Sequence, residues 1–294
     1  MSDSITRIKG LPIWAGSVDP VLLKGGLSNE SYTVIDAGRK QVVRLGRDFP
    51  FHHVFRDREL MTTRAAVRAG FAPEVTYAAP GLMVTVFIEG QTYGADEVQT
   101  NLEPIADLIR GFHQAMPRHV SGAAFLFWVF HVIRDYARTL EAGGSRMAAK
   151  LPEFLDLSEE LEAVQVPLPI IFGHNDLLPA NFIEDDERIW LIDFEYAGFS
   201  TAMFDLAGIA SNAGFSPEQD EALLARYFNE KPSPALLRSQ AAMKCASLLR
   251  ETLWSLVSEL HLSAPGVDYE AYTQENLDRL AAELARYRSR YGKA

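Results

Sequence analysis

Between Pro20 and Leu45 apolar and polar positions alternate in short runs: Val21-Leu22-Leu23, Ser31-Tyr32-Thr33-Val34-Ile35 and Gln41-Val42-Val43-Arg44-Leu45, with a turn at Asp36-Ala37-Gly38. β-Branched and aromatic residues bounded by Gly and Asp clusters predict consecutive antiparallel strands. Glu74–Ala79 and Leu82–Ile88, joined at Pro80-Gly81, complete a five-stranded sheet. Val54–Ala69 reads as a helix, with Leu60, Arg64 and Val67 in register and Gly70 as its stop. Beyond residue 90 the period lengthens to that of a helix. Leu102, Ile105, Ile109, Phe112 and Met116 step by three and four, Phe125–Ala142 gives another helix, and Glu153–Val164 is a short charged one. Ser216-Pro217 and Ser233-Pro234 each supply an N-cap and a first-turn proline, and a last helix runs from about Asp268 with Leu277, Leu280, Leu284, Tyr287 and Tyr291 on one face. The pattern predicts an α+β chain of two lobes. A small antiparallel-sheet lobe covers 1–89, a larger, mainly helical lobe covers 90–294, and the extended run Val84–Gly90 is the hinge between them.

Composition narrows the function classes. The chain has 294 residues, more than one core usually serves, and 48% of them are hydrophobic. Its net charge of −11 argues against a nucleic-acid partner, which needs clustered Lys and Arg, and leans towards a small cationic substrate. Acidity kept only for solubility accounts for the same number. Met1–Gly10 is polar, unlike a signal peptide, and the most apolar run, Ala123–Ile133, is too short to span a bilayer. A soluble, cytoplasmic protein with no membrane insertion is expected. Cys245 is the only cysteine, which rules out an intramolecular disulfide and suits a core position. Nothing in the pattern specifies an oligomeric state.

The candidate chemistry centres on Phe172-Gly-His174-Asn-Asp176-Leu-Leu-Pro-Ala-Asn181-Phe182, followed by Trp190-Leu-Ile-Asp193-Phe-Glu195-Tyr196. A loop here presents Asp176 and Asn181, and the end of the next strand presents Asp193. Asn and Asp also cap turns, but four such polar residues at this spacing, each flanked by an apolar run, make a metal–phosphate constellation. A metallophosphatase would need a second His or Asp cluster, which is missing. His113 and His119 have no partner at ligand spacing and read as polar positions on or beside a helix. Nearer the N-terminus, Gly25-Gly26-Leu27-Ser28-Asn29 forms a turn where Gly26 lets the backbone approach a ligand and Ser28 and Asn29 offer donors to phosphate oxygens. A plain hairpin fits the same five residues. There is neither a Walker A loop nor a dinucleotide fingerprint. At the hinge, around Glu89, backbone amide and carbonyl groups of an extended strand can read adenine.

His-x-Asp-x-x-x-x-Asn followed by Ile-Asp-Phe resembles the catalytic loop and magnesium-binding strand end of the protein-kinase-like superfamily. Gly173–Phe182, Leu191–Gly198, Phe204–Ala207 and Leu249–Trp254 together resemble the choline/ethanolamine kinase family, particularly its bacterial members, over Gly25 to about Glu259. The resemblance implies a protein-kinase-like fold, ATP and Mg²⁺, and phosphorylation of the hydroxyl of choline or a close relative. It implies that Asp176 orients or deprotonates that hydroxyl, that His174 orients rather than acts as base, and that Asn181 and Asp193 hold Mg²⁺. Glu195 stands where protein kinases have the Gly of Asp-Phe-Gly, and would add a carboxylate near the second metal or the substrate cation. Arg44 and Glu59 take the places of the strand Lys and helix Glu that position phosphates. Arg for Lys departs from the protein-kinase pattern, but it keeps the charge and can fork onto phosphate and carboxylate together.

Acceptor recognition is expected on the helix 239–262, whose apolar stripe is Ala242, Cys245, Leu249, Leu253, Leu256 and Leu260. Trp254 lies beside that stripe, on a face with Ser247, Glu251 and Ser258, as an aromatic wall for a quaternary ammonium would, with Glu251 as counter-charge. A Trp half-buried against another helix gives the same pattern. Tyr196 is the second wall candidate. Three readings stay open: a choline kinase, a kinase of another small alcohol or amine such as ethanolamine, thiamine or an aminoglycoside, and a non-catalytic nucleotide-binding protein of kinase shape.

Overall fold

The computed structural model describes residues 2–23, 29–123, 125–263 and 266–292; Gly26 and Ser28 of the glycine-rich turn lie outside them. After helix α1 (Ser2–Lys9) come strands β1 (Val21–Leu23), β2 (Glu30–Asp36) and β3 (Arg39–Leu45), helix α2 (Arg56–Ala69), and strands β4 (Val75–Ala79) and β5 (Leu82–Val86). The strands form one antiparallel sheet in the order β1-β2-β3-β5-β4. Alternation puts Tyr32, Val34, Val43, Leu45, Leu82 and Val84 on one buried face, which packs with Ile8 and Val18 into a small core of its own. Gly70 closes α2 in the left-handed conformation, with its N–H on the Ala66 and Val67 carbonyls.

The remaining elements are β6 (Gln91–Thr92), α3 (Ala95–Thr100), α4 (Leu102–Ala115), α5 (Val129–Ala142), α6 (Leu151–Glu162), β7 (Ile170–Gly173), β8 (Phe182–Glu184), β9 (Ile189–Leu191), β10 (Gly198–Thr201), α7 (Ala202–Asn212), α8 (Pro217–Phe228), α9 (Pro234–His261) and α10 (Tyr269–Tyr291). They share a second, larger core. Ser216, Ser233 and Asp268 cap α8, α9 and α10 by accepting backbone N–H bonds. Strand β6 pairs with β8, and β8 with β9, while β7 pairs with β10. These short ribbons carry the loop after β7 and the turn after β9.

Two boundaries and one helix face differ from the periodicity. Strand β5 stops at Val86, and after one more bond, from the Phe87 N–H to the Lys40 carbonyl, the chain leaves the ladder; a Cβ on Gly90 would stand 2.3 Å from the Glu184 carbonyl oxygen, so the crossing depends on glycine. Helix α5 begins at Val129 rather than Phe125. Phe125 and Phe127 instead exchange backbone bonds with Phe199, so an extended segment continues the helix's apolar spacing. Helix α9 has no solvent face over most of its length, because α5, α6, α7 and α10 surround it. Of the polar residues read beside Trp254, Ser258 faces the interior and donates to the Trp254 carbonyl at 2.9 Å, as the neighbouring Thr252 does to the Leu248 carbonyl, while Ser247 and Glu251 are half-buried at the edge of a pocket. A buried hydroxyl satisfied within its own helix looks the same in sequence as one facing water.

Candidate active site

The loop after β7 is fixed by one carboxylate. Asp205, in the first turn of α7, is 1% exposed and accepts the backbone N–H of His174 at 2.8 Å and of Asn175 at 2.7 Å, with His113 Nε2 at 2.8 Å. Burial would raise the Asp205 carboxyl, but the bond from His113 and the loop amides hold it below the ordinary range. Asn175 sits at φ 61° and spends its amide on the carbonyls of Tyr196 and Gly198. A Cβ on Gly173 would meet Asn175 Oδ1 and Ser200 Oγ at 2.8 Å, so the strand leading into the loop tolerates no side chain there. Asp205→Asn removes the charge and turns a donor towards one of the two backbone N–H groups, which sit on different carboxylate oxygens. We expect a loss of about 2–4 kcal/mol in denaturant unfolding, because buried N–H groups are left unpaired; a change below 0.5 kcal/mol would mean that the loop does not need this anchor.

His174 is fully buried and its Nε2–H donates to the Ile192 carbonyl at 2.9 Å. Burial holds its pKa below the usual imidazole value. It ties the loop to the segment ahead of Asp193. Asn181, at the end of the Pro179–Asn181 turn, donates Nδ2 to the Asp176 carbonyl at 2.8 Å, and its own carbonyl accepts the Ile192 N–H. Asp176, Asn181 and Asp193 are thus tied together by three hydrogen bonds, two of them from the His174 and Asn181 side chains to backbone carbonyls. Asp193 has φ 68°, a left-handed conformation that costs a non-glycine residue roughly 1–3 kcal/mol and persists only where the surroundings enforce it.

Across the cleft, Arg44 on β3 meets all three expected carboxylates. Its Nε lies 3.2 Å from Glu59 Oε1, and its Nη2 lies 2.6 Å from Asp193 Oδ1 and 3.3 Å from Glu195 Oε2. Burial works against the Asp193 carboxylate, and the charge and bond from Arg44 outweigh it, keeping its pKa low. Asn29 Nδ2 also donates to Glu195 Oε2, at 3.1 Å. Glu89, by contrast, is exposed on the hinge and pairs with Lys40 at 3.2 Å.

Sequence reasoning missed two further cations in this cluster. Arg56 Nη1 bridges Glu59 Oε2 at 2.5 Å and Glu195 Oε2 at 3.0 Å, and Arg58 Nη2 donates to the Glu195 carbonyl at 2.9 Å. The signal was available: Arg56 stands one helical turn before Glu59.

Asp176 opens onto a pocket lined by Asn212, Arg250, Glu251, Tyr272 and Arg279. Its side chain keeps 19% exposure. Burial and then the charges of Glu251, Asp193 and Glu195 push its pKa well above the ordinary carboxylate value, against Arg250, which lowers it. Glu251 accepts from Arg250 Nη1 and from the Tyr272 hydroxyl, both at 2.8 Å. The two aromatic candidates meet: Trp254 Nε1 donates to the Tyr196 hydroxyl at 2.8 Å. Trp254 is 5% exposed, with one face stacked on His52 at 4.8 Å and Tyr272 edge-on at 6.2 Å.

Residues 20–238 match the phosphotransferase enzyme family. The chain belongs to that family. It is 28% identical over 269 residues to protein LicA of Haemophilus influenzae, covering 86% of this chain and 96% of LicA. A choline/ethanolamine kinase family protein from Mesorhizobium loti shares the fold with a TM-score of 0.76 and 27% identity, over 96% of this chain and 94% of that one. LicA in complex with AMP superposes with a TM-score of 0.72 at 20% identity, over 96% and 98% of the two chains. The two-lobed arrangement is therefore the fold of phosphotransferases, and among the described residues no helix is long and apolar enough to cross a membrane.

Donor chemistry also bears on a metal. Among the described residues no three His, Cys, Asp or Glu side chains converge as a closed metal site. Mg²⁺ bound with nucleotide does not need one, since it keeps waters and takes one or two carboxylates plus phosphate oxygens. The Asp193 carboxylate and the Asn181 amide oxygen, both hard ligands, fit that pattern.

Proposed function

We propose that this phosphotransferase is a cytoplasmic, ATP- and Mg²⁺-dependent kinase of choline or a closely related amino alcohol, with residues 1–89 as its nucleotide lobe and 90–294 as its catalytic and acceptor lobe. The observation that carries the reading is Asp176 and Asp193 on one side of a cleft, backed by Asn181, with the Arg44–Glu59 pair opposite. Asp176 is the group able to receive the acceptor's proton. Arg44 is placed for donor phosphate oxygens and is held by Glu59 and Glu195. Mg²⁺ on Asn181 and Asp193 would neutralise charge on the donor phosphates. The hinge backbone beside Glu89, outside the sheet ladder, is the candidate for adenine, and the name of the AMP-bound LicA supports an adenine nucleotide.

The acceptor side supports an amine. Glu251 and Tyr272 line the pocket that holds Asp176, and the names of the relatives point to choline or ethanolamine. The acidic surface agrees with that and with no nucleic-acid partner. A coupled-ATPase screen over choline, ethanolamine, thiamine and aminoglycosides tests the proposal: choline or ethanolamine should give the highest kcat/KM. Turnover of none of them, with nucleotide still bound, would instead favour the non-catalytic reading.

Trp254 separates the two amines. A trimethylammonium group has no N–H, so aromatic faces and carboxylates must recognise it, whereas a primary ammonium can also use directed hydrogen bonds to Glu251. Removing one aromatic wall costs about 0.5–2 kcal/mol, or roughly 2- to 30-fold. Trp254→Leu should therefore raise KM for choline by that factor, and KM for ethanolamine less, with KM for ATP almost unchanged. Equal losses for both amines in steady-state kinetics would reduce Trp254 to packing against His52.

A further inference from the structure

Arg250 is out of place in a pocket for a cation. It is 3% exposed and its guanidinium lies 4.5 Å from the centre of the Tyr196 ring, so it cannot swing out to water. Its Nη1 serves Glu251 and stands 4.0 Å from Asp176 Oδ1. Its Nε and Nη2 are buried with no hydrogen-bond partner among the described residues. The Tyr136 hydroxyl, on α5, which packs against α9 where Arg250 lies, is likewise buried with no hydrogen-bond partner among the described residues. A guanidinium has only donors, five in a fixed plane, and buried donors are normally paired. An arginine adjoining an amine pocket also repels the amine. Both facts are accounted for if an anion arrives there during the reaction.

The chemistry at Asp176 supplies one. The acceptor hydroxyl must come within about 2.6–3.2 Å of the Asp176 carboxylate to lose its proton. The hydroxyl oxygen then bonds to the γ-phosphorus, the bond from that phosphorus to the bridging oxygen breaks, and its electron pair leaves with ADP. The proton passes to Asp176. The phosphoryl oxygens thus end beside Asp176, within reach of a guanidinium that is itself 4.0 Å from that carboxylate.

We propose that Arg250 and the Tyr136 hydroxyl form an oxyanion subsite on the acceptor side of Asp176, which takes phosphoryl oxygens as the phosphate reaches the acceptor and holds the phosphomonoester product. The subsite rests on the amino-alcohol reading above. It is a contact with the transferred group, separate from the Arg44 cluster, and it distinguishes product from substrate: phosphocholine uses it and choline does not.

Calorimetric titration of the Mg²⁺–ADP-saturated protein with phosphocholine and with choline tests it. Arg250→Met should weaken phosphocholine roughly 10- to 100-fold, the range for a charge-assisted hydrogen bond, and leave choline within about threefold. Tyr136→Phe should weaken phosphocholine by roughly threefold to tenfold. Equal losses for the two ligands, or undiminished phosphocholine binding, would overturn the subsite. Should Arg250→Met not fold by circular dichroism, Arg250→Lys replaces it, with the same selective loss expected in smaller measure and an unchanged phosphocholine affinity counting against the proposal. If the wild type binds neither choline nor phosphocholine, the amino-alcohol reading fails by itself. Inorganic phosphate titrated onto the Mg²⁺–ADP complex then decides: binding lost in Arg250→Met upholds the subsite, and binding retained removes it.

Discussion

Asp176→Asn should lower kcat by roughly 10²- to 10⁴-fold, the usual contribution of a positioned proton acceptor, with nucleotide affinity nearly unchanged. The substitution keeps side-chain shape, and the loop around it is held by bonds that do not involve the carboxylate. Asn181 grips the residue 176 carbonyl, and Asp205 grips the amides of His174 and Asn175. What changes is the capacity to take a proton, together with one of two carboxylates facing Arg250. Steady-state kinetics on the preferred acceptor and a separate nucleotide titration distinguish this from a folding defect. Activity within a few-fold of wild type would remove Asp176 from the chemistry.

The expected site was legible in sequence where it is local and obscure where it depends on packing. Asp176, Asn181 and Asp193 fall within 18 residues, and a strand–loop–hairpin places them together whatever surrounds it. Strands β2, β3 and β5 could likewise be read from alternation, since one face is buried and the other is not, whereas β1 exposes all three of its residues. Arg44 and Glu59 needed a family resemblance, because their 15-residue separation says nothing about contact; the structure brings them to 3.2 Å. Helix α9 was harder. With neighbours on every side most of its polar residues are internal, so the polar face read beside Trp254 divides: Ser258 is a buried hydroxyl on the Trp254 carbonyl, while Ser247 and Glu251 line the pocket at Asp176. His113 illustrates the same blindness: read as a polar position on or beside its helix, it is 1% exposed and pairs with Asp205 and Tyr227. Periodicity reports how many faces of a helix are apolar, and it fails for a polar side chain whose partner comes from a distant element.

Mutation at Asp193 should separate metal binding from proton transfer. Asn is the informative replacement, because it tolerates the left-handed backbone at φ 68° better than Ala and still offers Arg44 an oxygen in place of Oδ1. The fold and the bridge across the cleft should therefore survive, while the charge that fits Mg²⁺ is lost. A metal ligand at a phosphate site contributes several kcal/mol, so Mg²⁺-supported ATP affinity should fall by on the order of 10²-fold, and kcat with it. ATP binding without metal should hold or improve, since Arg44, relieved of one full negative charge, is freer to meet phosphate oxygens. Titrating ATP with and without Mg²⁺ gives the answer as a ratio of affinities. That ratio should collapse towards one in Asp193→Asn but stay at its wild-type value in Asp176→Asn, and an unchanged ratio in Asp193→Asn would place the metal elsewhere in the cleft.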